Sequence, residues 1–459
     1  MLKRLMTVWA VVCAGAVVGL ASGHTQVLAR EDTSTALVAK NASGSVQTVI
    51  VNGPLDLNNP FFRDLGTNGR SCFSCHRPAQ GWTITPEVVR DRFAESQGRD
   101  PIFRTNDGSN CEGADVSTLG KRQAAYSLLL NRGLIRVGID VPIGAEFVIE
   151  SVDDPYQCGA PLTGASLYRR PLPSTNLRFL SAVMWDGRES TPTTTVLQDL
   201  AKQADDATMG HAQASLHLTP QEAQDIVAFE MGLFTAQGLD NDAGRLNVDG
   251  ALGGAVALSQ QPFFIGINDP VGLNPAGTPF DPNAFTVFNA WAVASGPRTA
   301  IARGQQIFNR KPIVITGVAG LNNQTFSNGV TIPDSFVGTC TTCHDAPNAG
   351  DHSVKAPLNI GLTDAARRTA DMPLYTLRRL STGDTVQTTD PGRAMISGKW
   401  ADVGKFKGPI LRALAARAPY FHNGFASTLD GVVSFYETRF HIGLTDQEKT
   451  DLAAFLRAL

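Results

Sequence analysis

Two five-residue frames, Cys72-Phe73-Ser74-Cys75-His76 and Cys340-Thr341-Thr342-Cys343-His344, repeat one C-x-x-C-H spacing 268 residues apart. With seven Cys and eight His in 459 residues, about 0.002 such frames are expected by chance. The spacing lets two thiols form thioethers to the vinyl groups of a haem while the next imidazole reaches its iron. Structural zinc held by Cys-x-x-Cys wants two pairs in one domain, and a thioredoxin-like redox pair does not require the histidine. The frames therefore predict two covalently bound haem c groups, one on Cys72, Cys75 and His76 and one on Cys340, Cys343 and His344.

The remaining cysteines are Cys13, near the N-terminus, and the pair Cys111 and Cys158. Lys3 and Arg4 precede an apolar run, Leu5 to Ala21, that ends in small residues, the pattern of a secretory signal peptide over residues 1–23. Gly23/His24 and Ala29/Arg30 are the candidate cuts. No later segment reaches roughly 18 uninterrupted apolar residues, so no stable membrane insertion is expected after cleavage, and the compartment is the periplasm. In that oxidising setting Cys111 and Cys158 are expected to form a disulfide, worth about 4 kcal/mol in the chain-entropy model. The 39 Lys and Arg against 42 Asp and Glu exclude a nucleic-acid binder's basic footprint. Without Lys3 and Arg4 the net charge moves from −3 to −5 and gives no strong steering signal.

A longer repeat surrounds the frames. Leu218–Phe229 (LTPQEAQDIVAF) recurs as Leu444–Phe455 (LTDQEKTDLAAF), each opening with a capping box, Thr219 with Glu222 and Thr445 with Glu448. Phe61–Gly66 and Arg303–Phe308 stand upstream of the two frames. Helix, haem frame, excursion and capped helix thus occur twice. The expected fold is mainly α: two cytochrome-c-like haem domains with long loop insertions, at 45–235 and 297–459, joined by a Gly-, Asn-, Asp- and Pro-rich connection at 236–296. Residues 84–165 carry no motif.

Three further motifs resemble those of the bacterial dihaem cytochrome c peroxidases and the related enzyme MauG. Met184-Trp-Asp-Gly-Arg-Glu189 matches their W-D-G-R element. Phe406-Lys-Gly-Pro-Ile-Leu-Arg412 matches F-K-x-P-x-L-R, and Ala418-Pro-Tyr-Phe-His-Asn-Gly424 matches A-P-Y-F-H-D/N-G. The resemblance implies that Trp185 conducts electrons between the haems. It implies a second ligand for the His344 haem fourteen residues after His422, at Tyr436 (Tyr as in MauG, Met in the peroxidases), with Met395 as the fallback. A phenolate there would lower that haem's potential.

The peroxide-handling site departs from the family. Leu200-Ala-Lys-Gln203-Ala resembles the family's L-x-E-Q-A, but ten residues on stands Gln213 rather than Glu. Splitting a peroxide bond needs a group that takes and returns a proton, which Gln cannot do and imidazole can. His211 is therefore the expected acid/base, beside Asp205 and Asp206, with its direct ligation of the first iron as the alternative. The family's calcium site is doubtful here, because Arg170 and Arg417 stand at its positions. Together these readings imply a peroxidase for hydrogen peroxide whose electrons come from a small c-type cytochrome or a cupredoxin. The alternatives are MauG-like oxidation of a protein or organic substrate, and a non-enzymatic electron-transfer cytochrome.

Overall fold

The repeated capping boxes set the frame of the fold. In the computed structural model, which describes residues 25–29, 35–159 and 161–459, both close as expected. Thr219 and Glu222 bond reciprocally at the start of a Pro220–Met231 helix, and Thr445 and Glu448 do the same ahead of Asp446–Ala458. Each box satisfies backbone N–H groups that a helix start leaves unpaired.

The C-terminal helix crosses the Pro297–Arg310 helix at Gly304, where a Cβ would sit 2.0 Å from the Asp451 carbonyl oxygen. Only glycine permits that approach. Arg303 grips Asp451 beside it with two bonds of 2.6 and 2.9 Å. Upstream of the first frame the corresponding element is much shorter: Pro60–Phe62 is a single 3-10 turn, and Arg63 already has extended backbone.

The expectation of a mainly α fold needs correction. The chain is 30% helix and 17% strand. Thr25–Ala29, Thr35–Asn41, Gly44–Ile50, Leu233–Asp240 and Gly244–Arg245 form one antiparallel sheet in that order. Residues on either side of position 235, the expected domain edge, thus run on in one strand. The signal peptide expected over residues 1–23 lies outside the described residues. A cut after Gly23 keeps the edge strand Thr25–Ala29, whereas one after Ala29 removes it.

The 236–296 segment is more than a connection. Phe285, Phe288 and Trp291 are buried with Phe308 and Phe455 in the largest apolar cluster of the C-terminal half. The described residues of the 84–165 segment carry structure of their own. Cys111 and Cys158 are joined within it, their Cα atoms 5.3 Å apart. Its strand Phe147–Asp153 pairs antiparallel with Leu374–Arg379, so the insertion is hydrogen-bonded to the distant half of the chain. No helix among the described residues is long and apolar enough to cross a membrane.

Candidate active site: two cavities with a shared wall

The two C-x-x-C-H frames fold alike. Cys72–Ser74 and Cys340–Thr342 are single 3-10 turns, closed by reciprocal bonds between Ser71 and Ser74 and between Thr339 and Thr342. His76 donates from Nδ1 to the Trp82 carbonyl at 2.9 Å, and His344 donates from Nδ1 to the Gly350 carbonyl at 2.7 Å. Each acceptor lies six residues on. Such a bond fixes the proton on Nδ1 and leaves Nε2 as the ligating nitrogen. Burial lowers His76 to about 4 and also lowers His344, so both rings are neutral near pH 7. Burial pushes Cys72, Cys340 and Cys343 up to about 12 and raises Cys75, which disfavours the thiolates that a zinc or redox site would need.

Each frame lines its own mostly apolar cavity with both cysteines and the histidine. A neutral imidazole, two protonated thiols and an apolar enclosure fit a haem c in each. Lys407, Pro409 and Arg417 line both cavities and form part of their common wall.

Gln203 and His211 both line the first cavity, one within the Val196–Gly210 helix and the other as its C-terminal cap. His211 Nδ1 lies 2.5 Å from one oxygen of Asp107, and Arg70 holds the other at 2.5 Å. Arg70 and Asp107 are buried, whereas the His211 side chain is 38% exposed. Burial alone would raise the Asp107 carboxyl; the contacts with His211 and Arg70 outweigh it and hold the group below its usual value. No other side chain is bonded to His211 Nε2 among the described residues, and the Asp–His geometry directs that nitrogen's lone pair away from the carboxylate.

The neighbouring candidates are elsewhere. Gln213 has left-handed backbone (φ 54°) and bonds to Asn68 instead of lining the cavity. Asp205 pairs with His217, and Asp206 with Lys202. Two residues of this cavity have no motif to mark them. Asp107 belongs to the 84–165 segment and meets His211 across 104 positions. Glu230, next to last in the Pro220–Met231 helix, is 5% exposed, has an unpartnered Oε2, and is pushed up to about 7 by burial.

Tyr436 and Trp185 line the second cavity. Tyr436 sits in the Leu429–Phe440 helix, its ring stacked on Phe440, and its hydroxyl makes no hydrogen bond among the described residues. Burial raises that phenol, and the Cys343 and Cys340 thiols add to the effect. Met395 is corrected as a fallback ligand. It is 1% exposed in a separate cluster with Phe147, Ile149 and Tyr375 and does not line the cavity.

Trp185 donates from Nε1 to the Arg170 carbonyl at 2.8 Å, and its ring meets His422 edge-on at 6.1 Å; His422 in turn stacks on Phe406 at 4.1 Å. The residue before it, Met184, lines the first cavity with left-handed backbone (φ 68°), a conformation costing a branched or long side chain about 1–2 kcal/mol. Consecutive residues of the W-D-G-R element thereby face the two cavities in turn.

A haem-attachment turn, its oriented imidazole and an apolar cavity define a c-type cytochrome site. The comparisons narrow the class. The chain is 37% identical over 136 residues to cytochrome-c peroxidase IdrP2 of Denitromonas iodatirespirans, covering 27% of this chain and 36% of that protein. It is 30% identical over 189 residues to cytochrome-c peroxidase IdrP1 of Pseudomonas sp. (strain SCT), covering 37% and 48%. Against cytochrome c peroxidase Ccp of Escherichia coli (strain K12) the identity is 30% over 122 residues, covering 26% and 22%. The matches to the two IdrP proteins thus span about a third to a half of their length. A crystal structure of a MauG-like protein associated with microbial copper homeostasis aligns over 89% of this chain and 90% of its own at 17% identity and a TM-score of 0.37. No family model matches. These sequence relatives are all named cytochrome-c peroxidases, and over the parts matched this chain is similar to them.

Proposed function

We propose that this chain is an exported dihaem peroxidase. Hydrogen peroxide is reduced at the haem carried by Cys72, Cys75 and His76, with electrons relayed from the haem carried by Cys340, Cys343 and His344. The observation that carries the reading is the Asp107–His211 pair on the wall of the first cavity. Peroxide takes up two electrons and two protons to give two waters; the haem supplies the redox chemistry, and the protons need a carrier. Asp107 orients the imidazole through Nδ1, and the contacts with His211 and Arg70 hold Asp107 below its usual value. With haem and peroxide bound, His211 Nε2 would be the group that takes a proton from the peroxide and gives it to the oxygen leaving as water. Gln203, which cannot titrate, orients the peroxide by hydrogen bonding.

Trp185 is the electron conduit, in a wall where its neighbour Met184 reaches the other cavity. With a haem on His344, Tyr436 would be the residue to hold its iron from the other side; its unbonded hydroxyl in that cavity supports the assignment. The electron donor is a small c-type cytochrome or a cupredoxin, and the working compartment is the periplasm. The same tyrosine favours a second reading, MauG-like oxidation of a protein or organic substrate, because a phenolate ligand disfavours a conventional reduced store.

One experiment separates these. Stoichiometric peroxide is added to the purified holoprotein with and without a reduced cytochrome. Fast donor oxidation supports the peroxidase. A long-lived oxidised spectrum without donor turnover supports the second reading. No reaction, with both irons low-spin even after partial reduction, leaves only an electron-transfer cytochrome.

A further inference from the structure

Four cations sit in the walls of the two cavities with no carboxylate in direct contact; buried Asp351 acts on Lys407 only from beyond ion-pair distance. Arg412 lines the first cavity, Arg170 the second, and Lys407 and Arg417 line both. None of the four has a carboxylate within ion-pair distance among the described residues. Their protein partners are backbone carbonyls alone. Arg170 donates to the carbonyls of Arg132, Ile84 and Arg417, Lys407 to Ala182, Arg412 to Asn348, and Arg417 to Arg412 and Ile410. Arg412 Nε and Nη2 are buried with no partner at all. The other arginines on the first cavity, Arg70 and Arg63, already have Asp107 and Glu222.

Burial lowers Arg170 and Arg412 to about 9, Arg417 to about 10 and Lys407 to about 8. Apart from the longer-range pull of Asp351 on Lys407, the described residues leave this charge unpaired, which is costly unless an anion arrives. Two haems bring four propionate carboxylates. Guanidinium groups match carboxylates in shape and donor geometry, and remain charged in the interior.

We propose that Arg170, Lys407, Arg412 and Arg417 receive the propionates of both haems on the shared wall, so that protein cations rather than a divalent metal ion neutralise the space between the two sites. The proposal rests on the two-haem reading, so haem content is measured first. One haem per chain by pyridine haemochrome and intact mass overturns that underlying reading.

With two haems present, spectroelectrochemistry of the holoprotein reads the midpoint potential of each. Loss of a nearby positive charge favours the ferric state. Arg412→Gln is expected to lower the potential of the His76 haem alone, Arg170→Gln that of the His344 haem alone, and Arg417→Gln both, while Arg417→Lys keeps both close to wild type. Unchanged potentials in all three glutamine variants overturn the proposal. Wild-type protein supplies a measurement that needs no substitution. Calcium titration by calorimetry and dialysis against EGTA should give no binding heat and no change in either haem spectrum; saturable calcium binding that alters a spectrum overturns the assignment.

Discussion

His211 and Asp107 meet at 2.5 Å across 104 positions of chain, and Arg70 holds the far oxygen of Asp107 at the same distance. All three line the first cavity, and Arg70 Nη1 also donates to the His211 carbonyl at 3.1 Å. Because Asp107 and His211 act as a unit, Asp107→Asn should cost about 10²–10⁴-fold in peroxide turnover. His211→Gln should cost a similar amount, and the double variant no more than the worse single one. Steady-state assays with a reduced cytochrome check this, and haem content should be unchanged in all three variants.

Among the described residues, Tyr436 and Tyr420 are the tyrosines on the second cavity wall. Tyr436→Phe should change the optical and EPR spectra of the His344 haem and leave those of the His76 haem alone. Met395→Leu, in its separate cluster, should leave both spectra as they are. An unchanged spectrum in Tyr436→Phe removes the ligand assignment.

Trp185 provides the aromatic ring of the W-D-G-R element. Trp185→Phe should slow donor-dependent turnover tenfold or more, about 1.4 kcal/mol of added barrier. The first reaction of the fully reduced protein with peroxide should keep its rate. Stopped-flow mixing separates the two steps. Losing the Nε1 bond to Arg170 should cost about 1 kcal/mol of stability in addition.

Glu230 makes the fold pH-sensitive. Its carboxyl is raised from an ordinary 4.5 to about 7. Unfolded chain ionises this group first, so its contribution to stability falls as pH rises from about 4.5 to about 7 and is flat above. The shift corresponds to about 3 kcal/mol. Glu230→Gln should remove that slope and raise stability at pH 8, as read by denaturant titration across the range.

What was legible from sequence was local chemistry. The haem frames stand out by covalent spacing and the two capped helices by a residue and its partner three positions on; Trp185 and Tyr436, singled out by motif and count, both line the second cavity. Asp107 was not legible, because a contact across 104 positions leaves no local pattern. Arg412 and Lys407 lay in plain view within a motif, yet their role depends on lacking a carboxylate in direct contact, which only the packed interior reveals. The strands were missed for a related reason. Phe147–Asp153 and Leu374–Arg379 each show only a short stretch of alternating burial, and they find their partner more than two hundred residues away.

That pairing has a mechanical consequence. A strand from the N-terminal half is stitched into a three-stranded sheet with two strands from the C-terminal half. Arg132 reaches across to Asp371 at 2.8 Å, reinforcing the seam. The halves therefore resist hinge-like parting, and a single protease nick in the connecting chain would leave the fragments clasped. In the proposed dihaem peroxidase this seam would favour turnover at constant separation between the two haem sites.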